Sequence, residues 1–309
     1  MKMLKYIIKS ILLIIPTMFG VLLIVFTINY FTPGDPVAIY YDFNYTQEQY
    51  DEKAAEWGLD QPYAVQLGRY IENVVTKFDF GYSYYSGKSV MSEIKTRFPV
   101  SLSLGALALA LTVIIGIPFG IISATRQYSR LDYTVTFISL FFAAVPGFWL
   151  SMMLILIFSQ QLGWLPASGL TSWKCYIIPV IASSAQYVAS VTRQTRSSML
   201  DVIRSDYIRT ARAKGLSERD VIRKHALRNA LIPVITLVGM QAGALIAGSA
   251  IIEAIHSFPG MGSLMMTAIN NKDYNTIQTV VLILSGVVCL LNVGVDIIYA
   301  LIDPRVRRR

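Results

Sequence analysis

Residues 209–229 read RTARAKGLSERDVIRKHALRN, a strongly basic stretch that runs into the apolar LIPVITLVGMQAGALIAGSAII of residues 231–252. Helix signals divide it. Ile203, Tyr207, Ile208 and Ala211 form an apolar stripe at helical spacing, Gly215 ends that helix, and Ser217 with Asp220 makes a capping box for the next. The product is two short helices with a tight Gly-Leu-Ser joint. Such a pair resembles a helix-turn-helix, but apolar segments tether it within a few residues at both ends. A recognition helix must lie in a major groove, and this one lacks the freedom to do so. No nucleic-acid partner is expected. A loop lying on lipid headgroups would need no capped joint. A rigid, alanine-rich knob with small side chains at its tip suits a cleft on a soluble protein.

The rest of the chain decides where that knob sits. The 309 residues are 54% hydrophobic and only 15% charged, with a mean hydropathy of +0.51, too apolar for an ordinary soluble surface. A transmembrane helix needs about 20 mainly apolar residues, and six windows qualify: Ile11–Phe31, Phe98–Thr125, Tyr133–Ser159, Cys175–Thr192, Ala230–Ile252 and Thr276–Ile302. The fourth is short and polar and is expected to pack inside the bundle. Lys2, Lys5 and Lys9 precede the first window in the manner of a signal peptide, but the apolar run is long and FTPGDPV follows it without an A-x-A site. It reads as an uncleaved helix.

With the N-terminus inside, 19 Lys and Arg residues fall on the cytoplasmic side and 8 on the other. This asymmetry places both termini, and the basic knob between spans four and five, in the cytoplasm. Three regions follow: 1–31 with the first span, an extracytoplasmic cap at 32–97, and a five-helix core at 98–309 that contains the knob at 203–228. The cap carries 10 acidic and 6 basic residues. Within it, TQEQYDEKAAEWGL reads as a helix ending at Gly58, and PYAVQLGRYIENVV as an amphipathic helix started by Pro62.

Few groups suggest chemistry. GYSYYSGKS at 81–89 resembles a phosphate-binding loop, but five residues separate Gly81 from Gly87 where that loop requires four. Asn44-Tyr45-Thr46 matches a three-residue glycosylation acceptor that nothing else supports. His225 and His256 lack ligand-spaced neighbours, and Cys175 and Cys289 sit in apolar runs without a partner motif. No nucleophile–base constellation marks an enzyme. Inside the spans, Gly239 and Gly243 form a small-xxx-small pattern for close helix packing. Asn292 and Asp296 stand one turn apart and are expected to face the bundle interior or reach toward the cytoplasm.

The segment DYIRTARAKGLSERDVIRKHALRNALIPV resembles the cytoplasmic loop of ABC importer permeases, in the form found in the peptide and nickel branch. The general loop begins Glu-Ala-Ala with a glycine six residues after the glutamate. Here those positions are Arg209, Thr210, Ala211 and Gly215, so only the second alanine and the glycine are retained, a departure typical of the peptide branch. FTPGDPV, WGLDQPYAVQ, FDFGYSYYSGKSV, PGFWLSMMLILIFS, SFPGMGSLMM and DPRVR extend the resemblance to dipeptide and oligopeptide permeases along nearly the whole chain.

The resemblance implies an all-α type I importer permease fold with six transmembrane helices. It also implies a bacterial cytoplasmic-membrane subunit that couples ATPase motion to alternating access without catalysis or a cofactor of its own. The implied partners are a second homologous permease, two cytoplasmic ATPase subunits that hold ATP and Mg, and an external binding protein. The implied ATPase contact is Arg209, Thr210, Ala211, Arg212, Ala213, Lys214, Gly215 and Leu216, with Ala211 and Ala213 permitting close seating. Di- and oligopeptides are the implied cargo, and nickel or a metal chelate is the alternative. An ion-coupled secondary transporter working through Asp296 is the competing class.

Overall fold

The computed structural model describes residues 2–247 and 249–302. The DPRVR motif and the arginines that follow Pro304 lie outside them. Among the described residues the chain is helical apart from one isolated antiparallel bridge, Tyr82 to Ser89.

Helix α1 (Lys2–Phe31) is the first span. The cap follows as α2 (Pro36–Tyr40), α3 (Gln47–Trp57) and α4 (Tyr63–Glu72), the last prolonged by a π-helical turn at Asn73–Lys77. Local chemistry sets these boundaries. Thr46 and Gln49 make a reciprocal capping box on α3, and Gly58 closes it in the left-handed region at φ 69°. Pro62 occupies the N-cap of α4. The 81–89 loop is docked rather than free. Asp273 accepts from the Ser83 hydroxyl and, at 3.0 Å, from the Tyr84 amide, while Tyr84 stacks on Trp57 with centroids 4.4 Å apart.

The core begins with α5 (Val90–Thr125), which starts two turns earlier than hydropathy suggests. The third window does not form one straight span. It is α6 (Arg130–Ala144) followed by α7 (Gly147–Leu154), the latter prolonged by π-helical Ile155–Gln161, and the two halves are bent by 101°. The cause is Val145-Pro146-Gly147: proline has no N–H to donate and pushes the residue before it out of the helical region, and Val145 is extended at φ −81° and ψ 122°. Among the described residues five uninterrupted helices are long and apolar enough to cross a membrane, or six counting the bent pair as one.

The fourth window is longer than expected. Helix α8 (Ile177–Ile203) continues eleven residues past Thr192, and half of its most apolar stretch is buried against 11% for the first span. The interior position expected for it holds. The knob consists of α9 (Asp206–Ala213) and α10 (Glu218–Asp220) with a π-helical turn at Val221–Ala226, and α11 (Leu227–Ala247) follows it. A short hairpin of α12 (Ala250–Ile255) and α13 (Met261–Asn270) leads into α14 (Tyr274–Ile302).

Small residues set the close contacts. Gly239 and Gly243 both lie against α14, where an added Cβ would overlap Val295 and stand 3.2 Å from Val288, respectively. A second pair, Gly116 and Gly120, was not singled out in the sequence although GIPFG carries the same spacing. It brings α5 against α8: a Cβ on Gly120 would lie 2.5 Å from Thr195 Cβ and 2.7 Å from the Thr192 carbonyl. Asn292 is exposed on the surface of the chain rather than buried in its interior, the first of the two positions expected for it. The Asp296 side chain lies outside the described residues.

Candidate functional site: the basic knob and its seat

The knob is fixed from below by its own chain. Ile208 and Val221 are fully buried and Ala211 nearly so, in a cluster with Met199, Ala124, Ala226 and Ala230 that joins α5, α8 and α11. Two sequence expectations are corrected here. Ala211 faces this cluster, so it seats the knob on the permease and is not part of the outward surface. Tyr207, expected in the apolar stripe, is 44% exposed, its hydroxyl accepting from the Asn229 side-chain amide at 2.8 Å, whereas Ile203 belongs to the end of α8 and still packs against the cluster.

The outward surface is Arg209, Thr210, Arg212, Ala213, Lys214, Gly215 and Leu216, all exposed. Its shape comes from three local devices. Gly215 turns the chain at φ 80° with open space around it. Ser217 caps α10 by accepting from the Asp220 amide at 3.2 Å. Half of the expected capping box is present, because the Asp220 carboxylate instead takes the Ser217 hydroxyl at 2.8 Å and Lys224 at 2.8 Å. Arg212 bridges the joint, with Nε and Nη2 donating to Glu218 at 3.0 and 2.7 Å. This hydrogen bond holds the Arg212 pKa above its ordinary value. The pair is too exposed to add more than about 1 kcal/mol; it orients the loop. Arg209 is 77% exposed with only a loose 3.7 Å contact to Asp206, and Lys214 stands free of ion pairs among the described residues.

Directly beneath, Asp132 at the start of α6 is 2% exposed and takes both Arg196 Nε and Nη2 of α8, at 2.7 and 2.8 Å. The Ser123 hydroxyl and the Tyr128 amide complete its shell. Removing one member of such a pair leaves a buried charge without its partner, so Arg196→Ala is expected to lower stability by about 3 kcal/mol. The Asp132→Ala/Arg196→Ala double variant should recover part of it. Thermal unfolding in detergent checks the order of the two, and equal melting of wild type and single variant would contradict it.

A further polar centre escaped the sequence reading. The fully buried Glu253 of α12 accepts from Ser101 and Ser249, each at 2.6 Å, and from the amides of Gly262 and Ser263 at 2.8 and 3.1 Å. It holds the α12–α13 hairpin on α5. His256, expected to be an ordinary hydrogen-bonded side chain, is one: Nδ1 donates to the Ala167 carbonyl at 2.9 Å, which leaves Nε2, 2.6 Å away, to accept the Ser151 hydroxyl. Among the described residues no group of His, Cys, Asp and Glu is placed to hold a metal ion.

Residues 116–308 match the family described as "Binding-protein-dependent transport system inner membrane component", and residues 3–105 match its N-terminal companion. The chain is a member of this permease family. It is 41% identical over 308 residues to the glutathione transport system permease protein GsiC of Escherichia coli K12, covering 99% of each chain. It is 38% identical over 315 residues to the oligopeptide permease AppB of Bacillus subtilis, with 98% of this chain and 99% of that one covered. The dipeptide permease DppB of Alkalihalophilus pseudofirmus matches at 38% over 333 residues, across 99% and 100% of the two chains. The inward-facing methionine ABC transporter MetNI superposes with a TM-score of 0.59 at 20% identity, over 69% of this chain and 97% of that one. That likeness carries the type I permease fold. The protein is therefore an inner-membrane transport subunit of a binding-protein-dependent ABC importer, and not an enzyme.

Proposed function

We propose that this permease passes di- and oligopeptides across the bacterial cytoplasmic membrane, driven by cytoplasmic ATPases that grip the knob at residues 206–220. One observation carries the reading: the knob's inner face is locked into the permease core while its basic tip stands free. Motion imposed on the tip must then reach α5, α8 and α11 through Ile208 and Val221. Arg209, Lys214 and Leu216 are the outward contacts, Gly215 supplies the turn, and Arg212 keeps its shape through Glu218.

ATP drawing two ATPases together would bring this knob and that of a second permease closer, biasing a rigid-body switch between inward- and outward-facing states. ATP and Mg belong to the ATPases. The cap at 32–97, acidic and rich in tyrosine, is the docking face for the external binding protein. The excess of Lys and Arg on one side of the spans supports cytoplasmic termini. Peptide cargo rests on the names of the relatives, and no observation favours nickel.

Gly215→Asp tests the assignment. A side chain at φ 80° strains the turn, so the variant should insert normally yet lose most ATP-dependent uptake in reconstituted vesicles while the ATPases still hydrolyse ATP. Unchanged uptake and unchanged cargo-stimulated hydrolysis would remove the knob from the mechanism.

A further inference from the structure

The 101° bend between α6 and α7 leaves irregular backbone on the surface of the chain: Ala144 and Pro146 are exposed, Val145 and Gly147 half-buried. Gln186 of α8 donates its side-chain amide to the Val145 carbonyl at 3.1 Å, and a Cβ on Gly147 would lie 3.1 Å from the Ala182 carbonyl. The bend is thus held at the level of Gln186.

That level follows from α8. The Asp132–Arg196 ion pair marks the charged inner boundary, since Asp132 opens α6 as the chain enters the bundle. About 20 residues cross the hydrocarbon, and the 20 residues counted outward from Arg196 end at Ile177, the first residue of α8. Gln186 therefore stands about 15 Å from either boundary, at the midplane. From Asp132 to Ala144, α6 rises about 18 Å, which brings the break to the same depth. Irregular backbone at such depth exists only inside protein or beside water, never against lipid.

The exposed face of α8 meets the same requirement. Gln186, Ser190, Arg193 and Ser197 follow at i, i+4, i+7 and i+11, a single helical face. Gln186, Arg193 and Ser197 are exposed and Ser190 half so, whereas Ala182, Ala189 and Val191 are buried. Among the described residues Arg193 has no ion-pair partner. Amides and a guanidinium along a membrane helix face water or protein, not acyl chains.

We infer that the α6–α7 break and this polar stripe of α8 form a midplane station of the translocation path, one that takes the main chain of an extended peptide. The inference rests on the peptide reading above. The last carbonyls of α6 lack helical partners, and among the described residues the Gln186 side chain makes no hydrogen bond through its carbonyl and keeps a second N–H. This set of neutral acceptors and donors matches peptide amides whatever their side chains. Arg193, about 10 Å nearer the cytoplasm along α8, suits the terminal carboxylate as it leaves.

The test uses the complete transporter with Cys175→Ala and Cys289→Ala, into which Gln186→Cys or Ser190→Cys is placed singly. Each is labelled in membranes with a membrane-impermeant methanethiosulfonate and with a lipid-soluble maleimide, with and without a mixture of peptides two to five residues long. Labelling of both positions by the impermeant reagent, slowed at least about 5-fold by the peptide mixture, is the expected result. Reaction with the maleimide alone, or with neither reagent, overturns the water-lined path. Aqueous labelling that peptides do not slow overturns the station. Failure of the cysteine-free parent to take up any peptide on ATP addition counts against the peptide reading alone, because aqueous access is scored without reference to cargo.

Discussion

Replacing Glu253 with alanine is expected to lower stability by at least about 3 kcal/mol, roughly a 100-fold shift in the folded fraction. The carboxylate gathers two hydroxyls and two backbone amides, and its residue is fully buried. Removing it leaves those donors unpaired where water cannot reach, and unpaired buried donors are far more damaging than the net worth of the bonds suggests. The hairpin also depends on it geometrically. Gly260 packs so closely on the Glu253 carboxylate and on Ser101 that any side chain there would displace them. Glu253→Gln should fall between wild type and alanine, because one acceptor oxygen becomes a donor facing donors. The midpoints of thermal unfolding in detergent should therefore rank wild type, Gln, Ala. Coincident midpoints would mean that the α12–α13 hairpin is held by apolar packing alone.

What the sequence conveyed depended on distance along the chain. Gly58, Gly215 and Ser217 act within three or four residues, so the two helix ends and the Ser217 cap were readable and are found in place, although only half of the capping box expected at Ser217 and Asp220 forms. Six apolar windows were readable for the same reason. The bend in the third was not, because a hydropathy average over Tyr133–Ser159 does not register a change of direction at Val145-Pro146. The fourth ended too early, because Arg193, Gln194 and Arg196 depress the average. The helix continues there since Asp132, 64 positions away, neutralises Arg196. Glu253 gave no local signal at all: Ser101 is 152 residues earlier. Ala211 misled for a related reason, since a small residue in a knob reads the same whether it faces a partner or its own core.

These long-range contacts converge on α8. One face carries the Gln186–Ser197 stripe, Arg196 fixes it to α6, its C-terminal end enters the cluster that holds Ile208 and Val221, and its opposite side runs along α5. A displacement of the knob is thereby transmitted as a movement of a polar, path-facing helix, provided that α5 and α8 remain in contact.

That condition yields the second large effect, at Gly120. A leucine there must place its Cβ against the Thr192 carbonyl, which is backbone and cannot rotate aside, and against Thr195, whose residue is fully buried. Overpacking a tight interface costs about 1–3 kcal/mol where side chains can yield, so a barrier of backbone sets the expectation at or above the upper end. Gly120→Ala should be milder but still measurable, because even one methyl lies 2.7 Å from that carbonyl. Uptake should fall more steeply than melting temperature across the series Gly, Ala, Leu, since forcing α8 off α5 disturbs the path face before it unfolds the bundle. An alanine variant with normal uptake and unchanged melting would show that the α5–α8 crossing is looser than these contacts require. The link from knob to path would then have to run through α11.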